Sequence, residues 1–244
     1  MLTGLRAGVP VRRLSAASPG RGPEPGPLAA RVWRLDLTDP AWDLEAAAAM
    51  LTEAERARAA RGVPSVRRRR LLLRAGLRVL AGRSLGLPAA QVPIRVRDGR
   101  PYVTAGPGLS CSASGGVGLV AVVPGSSIGI DVERRRETGL ASAVAEGWLT
   151  AREQALLSRV PHQQQAWALA RSWTQKEAVL KGLGTGLRRS PVSVLTPIAD
   201  RGHAEGWWLS PVPVPRGWVA SLAVRSPVPT TDVQVTTMTP GELR

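Results

Sequence analysis

Ser172-Trp173-Thr174-Gln175-Lys176-Glu177-Ala178-Val179-Leu180-Lys181, running into Gly182-Leu183-Gly184-Thr185-Gly186, decides how the rest of the 244-residue chain is read. Taken as a helix from about Gln165, it carries an apolar stripe of Ala166, Leu169, Ala170, Trp173 and Leu180. At about 100° per residue Glu177 falls inside that stripe, where a carboxylate is costly unless a cation or hydrogen bonds meet it. Lys181 stands one turn on, in the favourable Glu-to-Lys order. Of the 33 Lys and Arg residues, only Lys176 and Lys181 are lysine. Lysine is a compact charge whose pKa can move, which a guanidinium cannot offer. The plain alternative is a surface ion pair beside a helix cap at Gly182.

Upstream, Ser127-Ile128-Gly129-Ile130-Asp131-Val132-Glu133 alternates strictly. A strand of period two sets Ile128, Ile130 and Val132 on one face and Gly129, Asp131 and Glu133 on the other. Two carboxylates on one face repel unless a cation lies between them. With Glu177 as a third, an oxygen-only set points to Mg²⁺, with Mn²⁺ also possible. His162 and His203 lack metal-ligand spacing, which argues against zinc.

Toward the N-terminus, Thr52 and Glu55 form a capping-box pattern at a helix start. A second helix from about Ser65 carries a core stripe of Leu73, Leu77 and Leu80, with Arg67, Arg70, Arg74 and Arg78 along another side. Ordinary solvated charge or an anion-binding face would both fit that ridge. Binding of single-stranded nucleic acid usually interleaves aromatics with such cations; none stand here, so a phosphorylated small molecule is the favoured anion. Asp98-Gly99-Arg100-Pro101 reads as a turn with Arg100 exposed at its tip. Leu109 to Gly116 is a small-residue segment whose hydroxyls could cradle a phosphate.

Pro124-Gly125-Ser126-Ser127 breaks the pattern, dividing residues 31–124 from 125–230. Residues 1–30 read as a disordered extension and 231–244 as a tail. Each half runs strand, helices, strands, the second closing on Trp207 to Leu209 and Trp218 to Val224, so the fold class expected is α+β with two similar halves. No residue-level repeat accompanies that order. A net charge of +15 calls for an acidic partner. The single cysteine, Cys111, excludes an internal disulfide and fits a reducing cytoplasm. No run approaches the ~18 apolar residues of a membrane span.

Together these residues resemble the Sfp-type 4'-phosphopantetheinyl transferase family. Gly129-Ile130-Asp131-Val132-Glu133 matches its G-(I/V)-D-x-E motif, and Trp173 through Lys181 matches W-(S/T/C)-x-K-E-(A/S)-x-x-K. Weaker similarity runs from about Arg31 to Val224, including Gly99-Arg100-Pro101 and Trp148-Leu149-Thr150 with Glu153. The resemblance implies two α/β halves related by a pseudo-twofold, with coenzyme A in the cleft between them. It implies Asp131, Glu133 and Glu177 as metal ligands, Lys181 on the reacting phosphate, and Arg67, Arg70, Arg74, Arg100 and Ser112 around the cofactor. Glu177 is then the general base, and an acidic acyl or peptidyl carrier protein the partner of a monomeric enzyme. One departure stands out: Ser112-Ala113-Ser114 replaces the family's S-H-(S/T). That loss leaves a non-catalytic coenzyme A-binding regulator as an alternative, with a basic nucleic-acid-binding protein behind it.

Overall fold

The computed structural model describes residues 29–135, 139–185, 188–229 and 232–243. Of the extension expected over residues 1–30, only Ala29 and Ala30 are among them, and they open the first strand.

Two periodicities build the mixed α and β architecture. In β1 (Ala29–Asp36), Ala30 and Val32 enter one core while Trp33 and Leu35 enter another. β5 (Val117–Val123) is buried along its length: Val117, Leu119, Ala121 and Val123 face the first core, Val120 and Val122 the second. Such an apolar run on both faces marks a strand covered on both sides. β6 (Ser127–Arg134) sends Ile128, Ile130 and Val132 into the core shared with β5.

The strands form two four-stranded sheets. The first has the order β10 (Asp232–Thr237), β1, β5, β4 (Gly108–Ser114); the second has β6, β9 (Trp218–Arg225), β8 (Trp207–Pro211), β7 (Gly202–Ala204). They stack over a common core of Val32, Leu119, Ile130 and Leu222. The outer face of the first sheet packs against α1 (Leu44–Ala49), α2 (Glu53–Ala60) and α3 (Pro64–Leu85). α6 (His162–Leu183) covers the second sheet, with α4 (Leu140–Ala145) and α5 (Ala151–Leu157) against its start. The layers therefore run helix, sheet, sheet, helix. A separate hairpin joins β2 (Arg95–Arg97) to β3 (Arg100–Tyr102). The chain changes sheet at Pro124 to Ser126, the turn between β5 and β6.

Of the tail expected over residues 231–244, residues 232–243 are described, and they are built into the fold. β10 lies parallel to β1, pairing Val233 with Ala30 and Thr237 with Arg34, and Met238 and Leu243 are buried beyond it. The residue-level repeat that was not expected is also present. β1 begins at 29 and β6 at 127; the capping threonines are Thr52 and Thr150; α3 and α6, each 22 residues long, begin at 64 and 162. The offset is 98 residues throughout. Leu51-Thr52-x-x-Glu55 and Leu149-Thr150-x-x-Glu153 both close a capping box, and both long helices end on a left-handed glycine, Gly86 and Gly184.

One glycine sets the distance between strand and helix. A Cβ on Gly129 would lie 1.9 Å from the Ala178 carbonyl oxygen and 2.5 Å from the Gly182 nitrogen. Only a residue without a side chain lets β6 touch the α6 backbone there. That contact brings Asp131 and Glu133 alongside Glu177 and Lys181.

Candidate active site

β4 and β6 are edge strands of different sheets and lie side by side, so their facing side chains line a seam between the two sheets. Asp131 is 3% exposed on that seam. Its Oδ1 accepts from Ser112 Oγ at 2.8 Å and from Lys181 Nζ at 2.6 Å, and Lys181 also donates to Ser112 Oγ at 2.9 Å. Asp131 Oδ2 is buried with no hydrogen-bond partner. A buried anionic oxygen without a donor is a strong deficit, and a cation is the simplest group to fill it. Glu133 accepts from Ser114 Oγ at 3.1 Å.

Glu177 is half-buried at the edge of the helix face packed on β6. Burial first, then the Asp131 charge and that of Glu133, push its pKa above the usual glutamate value, with Lys181 pulling the other way. The three carboxylates thus feel one another across the strand–helix contact. Among the described residues no three His, Cys, Asp or Glu side chains are gathered tightly enough to coordinate one ion as they stand. What supports a hard divalent cation is the all-oxygen donor set, its repulsion, and the orphaned oxygen of Asp131.

The expected ion pair within the helix is not the one that forms: Lys181 closes on Asp131 of β6. The buried charge of α6 is Lys176, not Glu177. Its ammonium, 0% exposed, lies 2.9 Å from Glu153 on α5, also 0% exposed, and donates to the Pro191 and Val194 carbonyls. Glu153 takes the Thr196 N–H and hydroxyl, each at 2.8 Å, and the Thr150 N–H at 2.9 Å. Burial alone would push Glu153 up, but these donors together hold its pKa below the usual value. Burial draws Lys176 down, and Glu153 opposes that. The pair is saturated, which makes it the support under Glu177 and leaves it nothing to offer a substrate. The 98-residue offset gives its counterpart: Glu55 holds Arg78 at 2.7 Å, and Arg78 also donates to the carbonyls of Ala89, Ala90 and Val92.

Much of the arginine ridge is therefore structural. Arg78 is buried, Arg70 donates to the Arg58 and Arg61 carbonyls at the end of α2, and Arg68 to those of Leu37 and Asp39. Arg70 is thus spoken for by backbone, and Arg67 is exposed on the first turns of α3. Arg74 is different: Nε is 3.5 Å from Glu55, while Nη1 is buried without a partner. Its charge, with that of Lys181, opposes the burial-driven rise of the Cys111 pKa, so Arg74 reaches β4. Arg100 is half-buried, not exposed at a tip, because the turn is Asp98-Gly99 and its side chain lies against Gly184. Its Nε has no partner, and burial lowers its pKa. Arg69, passed over in the sequence, lines a cavity of about 650 Å³ with Thr38 and Gly115. Arg100 lines another of about 660 Å³ between the hairpin and the end of α6.

The model of the 4'-phosphopantetheinyl transferase superfamily matches residues 127–206, which take in Asp131, Glu133, Glu177 and Lys181. The 4'-phosphopantetheinyl transferase HetI of Nostoc sp. (strain PCC 7120 / SAG 25.82 / UTEX 2576) is 33% identical over 204 residues, 79% of this chain and 86% of that protein. The chain belongs to the 4'-phosphopantetheinyl transferase superfamily. It is an enzyme of that class, and Ser112, Asp131 and Lys181 meet at the seam. Among the described residues of this transferase no helix is long and apolar enough to cross a membrane.

Proposed function

We propose that this transferase moves the phosphopantetheine arm of coenzyme A to a serine hydroxyl of an acyl or peptidyl carrier protein at the β4–β6 seam. The observation that carries this is the unpartnered, buried Asp131 Oδ2 beside a Glu177 whose pKa is raised. Asp131, Glu133 and Glu177 would hold Mg²⁺ or Mn²⁺. Such a cation, when bound, neutralises pyrophosphate charge and leaves coordination sites for substrate oxygens.

The protein's own groups do the rest. Glu177, whose pKa is raised by burial and the neighbouring carboxylates and so is a better proton acceptor than an ordinary glutamate, takes the proton of the carrier serine as its oxygen bonds to phosphorus. The bond between that phosphorus and the nucleotide's phosphate oxygen breaks, and the nucleotide leaves with the electron pair. Lys181, already donating to Asp131 and Ser112, is placed to meet the charge that builds on the reacting phosphate. Arg74 and Arg100, each with a buried nitrogen lacking an acceptor, bind the phosphates at the nucleotide end. Arg70, whose donors go to backbone carbonyls, drops out of that set, and Arg67 stays in it as an exposed cation. Arg74 and Arg100 also compensate for Ala113.

The constant 98-residue offset supports two halves, residues 31–124 and 125–230, related by a pseudo-twofold with the cofactor cleft between them. The +15 charge supports an acidic carrier protein as partner of a monomeric, cytoplasmic enzyme. With so many ridge arginines bound to backbone carbonyls, nucleic-acid binding loses its main support.

Incubation with coenzyme A, Mg²⁺ and an apo carrier protein, followed by weighing the carrier, tests the reading. The carrier gains one phosphopantetheine mass, and chelation of the metal stops the gain. A carrier of unchanged mass with the wild-type protein would sink the proposal.

A further inference from the structure

β4 places a hydroxyl at every second residue, Ser110, Ser112 and Ser114, and all three face β6. Ser112 meets Asp131 and Ser114 meets Glu133, each pair 19 residues apart in sequence. A constant offset means the two strands run parallel here, so a Ser-x-Ser row faces an Asp-x-Glu row with one hydroxyl per carboxylate. The seam is also held at backbone nitrogens: Ser110 Oγ accepts from Ile130 N–H at 3.0 Å, and Ser114 Oγ from Arg134 N–H at 3.0 Å.

The serines differ in what remains after that bond. Among the described residues Ser110 donates to no carboxylate, and its work is to hold β6. Ser114 Oγ is fixed as an acceptor by Arg134 N–H, so its hydrogen is directed at Glu133 Oε2, 3.1 Å away. That bond is one constraint on where the Glu133 carboxylate points. Glu133 stands at the end of β6, half-buried, has three rotatable side-chain bonds, and shares an unfavourable like-charge contact with Glu177.

We propose that Ser114 is a positioning residue, its hydroxyl orienting the Glu133 carboxylate so that β6 presents Asp131 and Glu133 to one divalent cation. This rests on the metal reading given above. Ser114 touches no substrate; it acts through Glu133. Hydrogen-bond partners of a ligating carboxylate typically contribute 10–100-fold to metal affinity.

Mn²⁺ titration followed by electron paramagnetic resonance, with coenzyme A saturating and no carrier present, tests this without turnover. Ser114→Ala weakens Mn²⁺ binding about tenfold, and Ser114→Thr, which keeps the hydroxyl, restores most of it. Ser110→Ala lowers the melting temperature as Ser114→Ala does, yet keeps Mn²⁺ affinity within about twofold, because only a backbone bond is lost. Asp131→Asn separates the two readings. If wild type binds Mn²⁺ and Asp131→Asn does not, while Ser114→Ala binds normally, the Ser114 assignment is overturned and the metal reading stands. Equal weakening by Ser110→Ala would also overturn it, since the seam alone would then explain the loss. Wild type that binds no Mn²⁺ overturns both.

Discussion

The strand–helix unit β1–α3 and the unit β6–α6 are built alike, 98 residues apart, and only the second carries the carboxylates of the candidate site. Where β6 has Asp131 and Glu133, β1 has Trp33 and Leu35, both packed into a core; where α6 has Glu177, α3 has Val79. The scaffold positions agree even in detail: Thr52 and Thr150 cap, Glu55 and Glu153 reach back from the capping box, and Arg78 and Lys176 receive them. The shared features are the ones that hold a long helix to its neighbours. Chemistry was written onto one copy of that frame without altering it.

Breaking the carboxylates should separate the units most sharply. Asp131→Ala removes the buried oxygen that awaits a cation, so carrier modification measured by mass should fall by about a thousandfold or more. Its thermal unfolding should match wild type in metal-free buffer, because a repelling cluster has lost one charge. An Asp131→Ala protein that unfolds, or turns over normally, would mean Asp131 belongs to the scaffold shared by both units.

Next in size is the loss of either supporting pair. Lys176→Ala leaves a fully buried Glu153 carboxylate without its cation and should cost about 3–5 kcal/mol in denaturant unfolding. Arg78→Ala should cost less, since Glu55 keeps Arg74 and some access to water. Equal costs would show that the first unit is as dry as the second.

The arginines sharpen the comparison at the cofactor. Arg74→Ala should weaken coenzyme A binding by about tenfold or more in calorimetry, the loss of a charge-assisted hydrogen bond. Arg70→Ala should leave affinity within about twofold while lowering stability, because its partners are backbone carbonyls. Arg100→Ala should erase much of the preference for coenzyme A over its 3'-dephospho form. A reversal, with Arg70 governing affinity, would return the ridge to the ligand.

Glu177→Gln should change stability only modestly, in a way that depends on pH. The folded protein raises the Glu177 pKa, so the native state holds its proton more firmly than the unfolded chain. Stability is then lost as pH rises from about 4.3 through the folded value, and the loss persists at neutral pH. In metal-free buffer Glu177→Gln should melt higher than wild type at pH 7, with the gap closing near pH 4. A gap that widens toward low pH would contradict the direction of the shift.

The carboxylate half of the site was legible because period two and helical spacing are local signals. Ile128 to Glu133 could be sorted onto two faces from spacing alone, and Gly129 marked a close approach. Lys176 stood out as a rare lysine, but its burial was not foreseen because its partners, Glu153, Pro191 and Val194, come from separate segments, and no helical wheel shows them. The arginine ridge misled for a related reason: Arg70 and Arg78 have the same side chain and spacing as a ligand-binding row, but carbonyls elsewhere absorb their donors. The repeat hid because the two capping boxes share Leu, Thr and Glu and little beyond them. The three serines of β4 looked like a phosphate cradle until β6 was seen beside them.

The pairing of β10 with β1 has a consequence for how the chain is made. Arg34 donates to Thr237 across 203 residues of sequence. On a ribosome adding about 5–20 residues per second, the outer edge of β1 therefore waits on the order of 10–40 seconds for its neighbour. Throughout that wait it offers unpaired N–H and C=O groups to any extended segment nearby. The nascent protein is most prone to mispairing after most of its core can already form, and a chaperone that shields this one edge would raise the yield more than one acting on the finished helices.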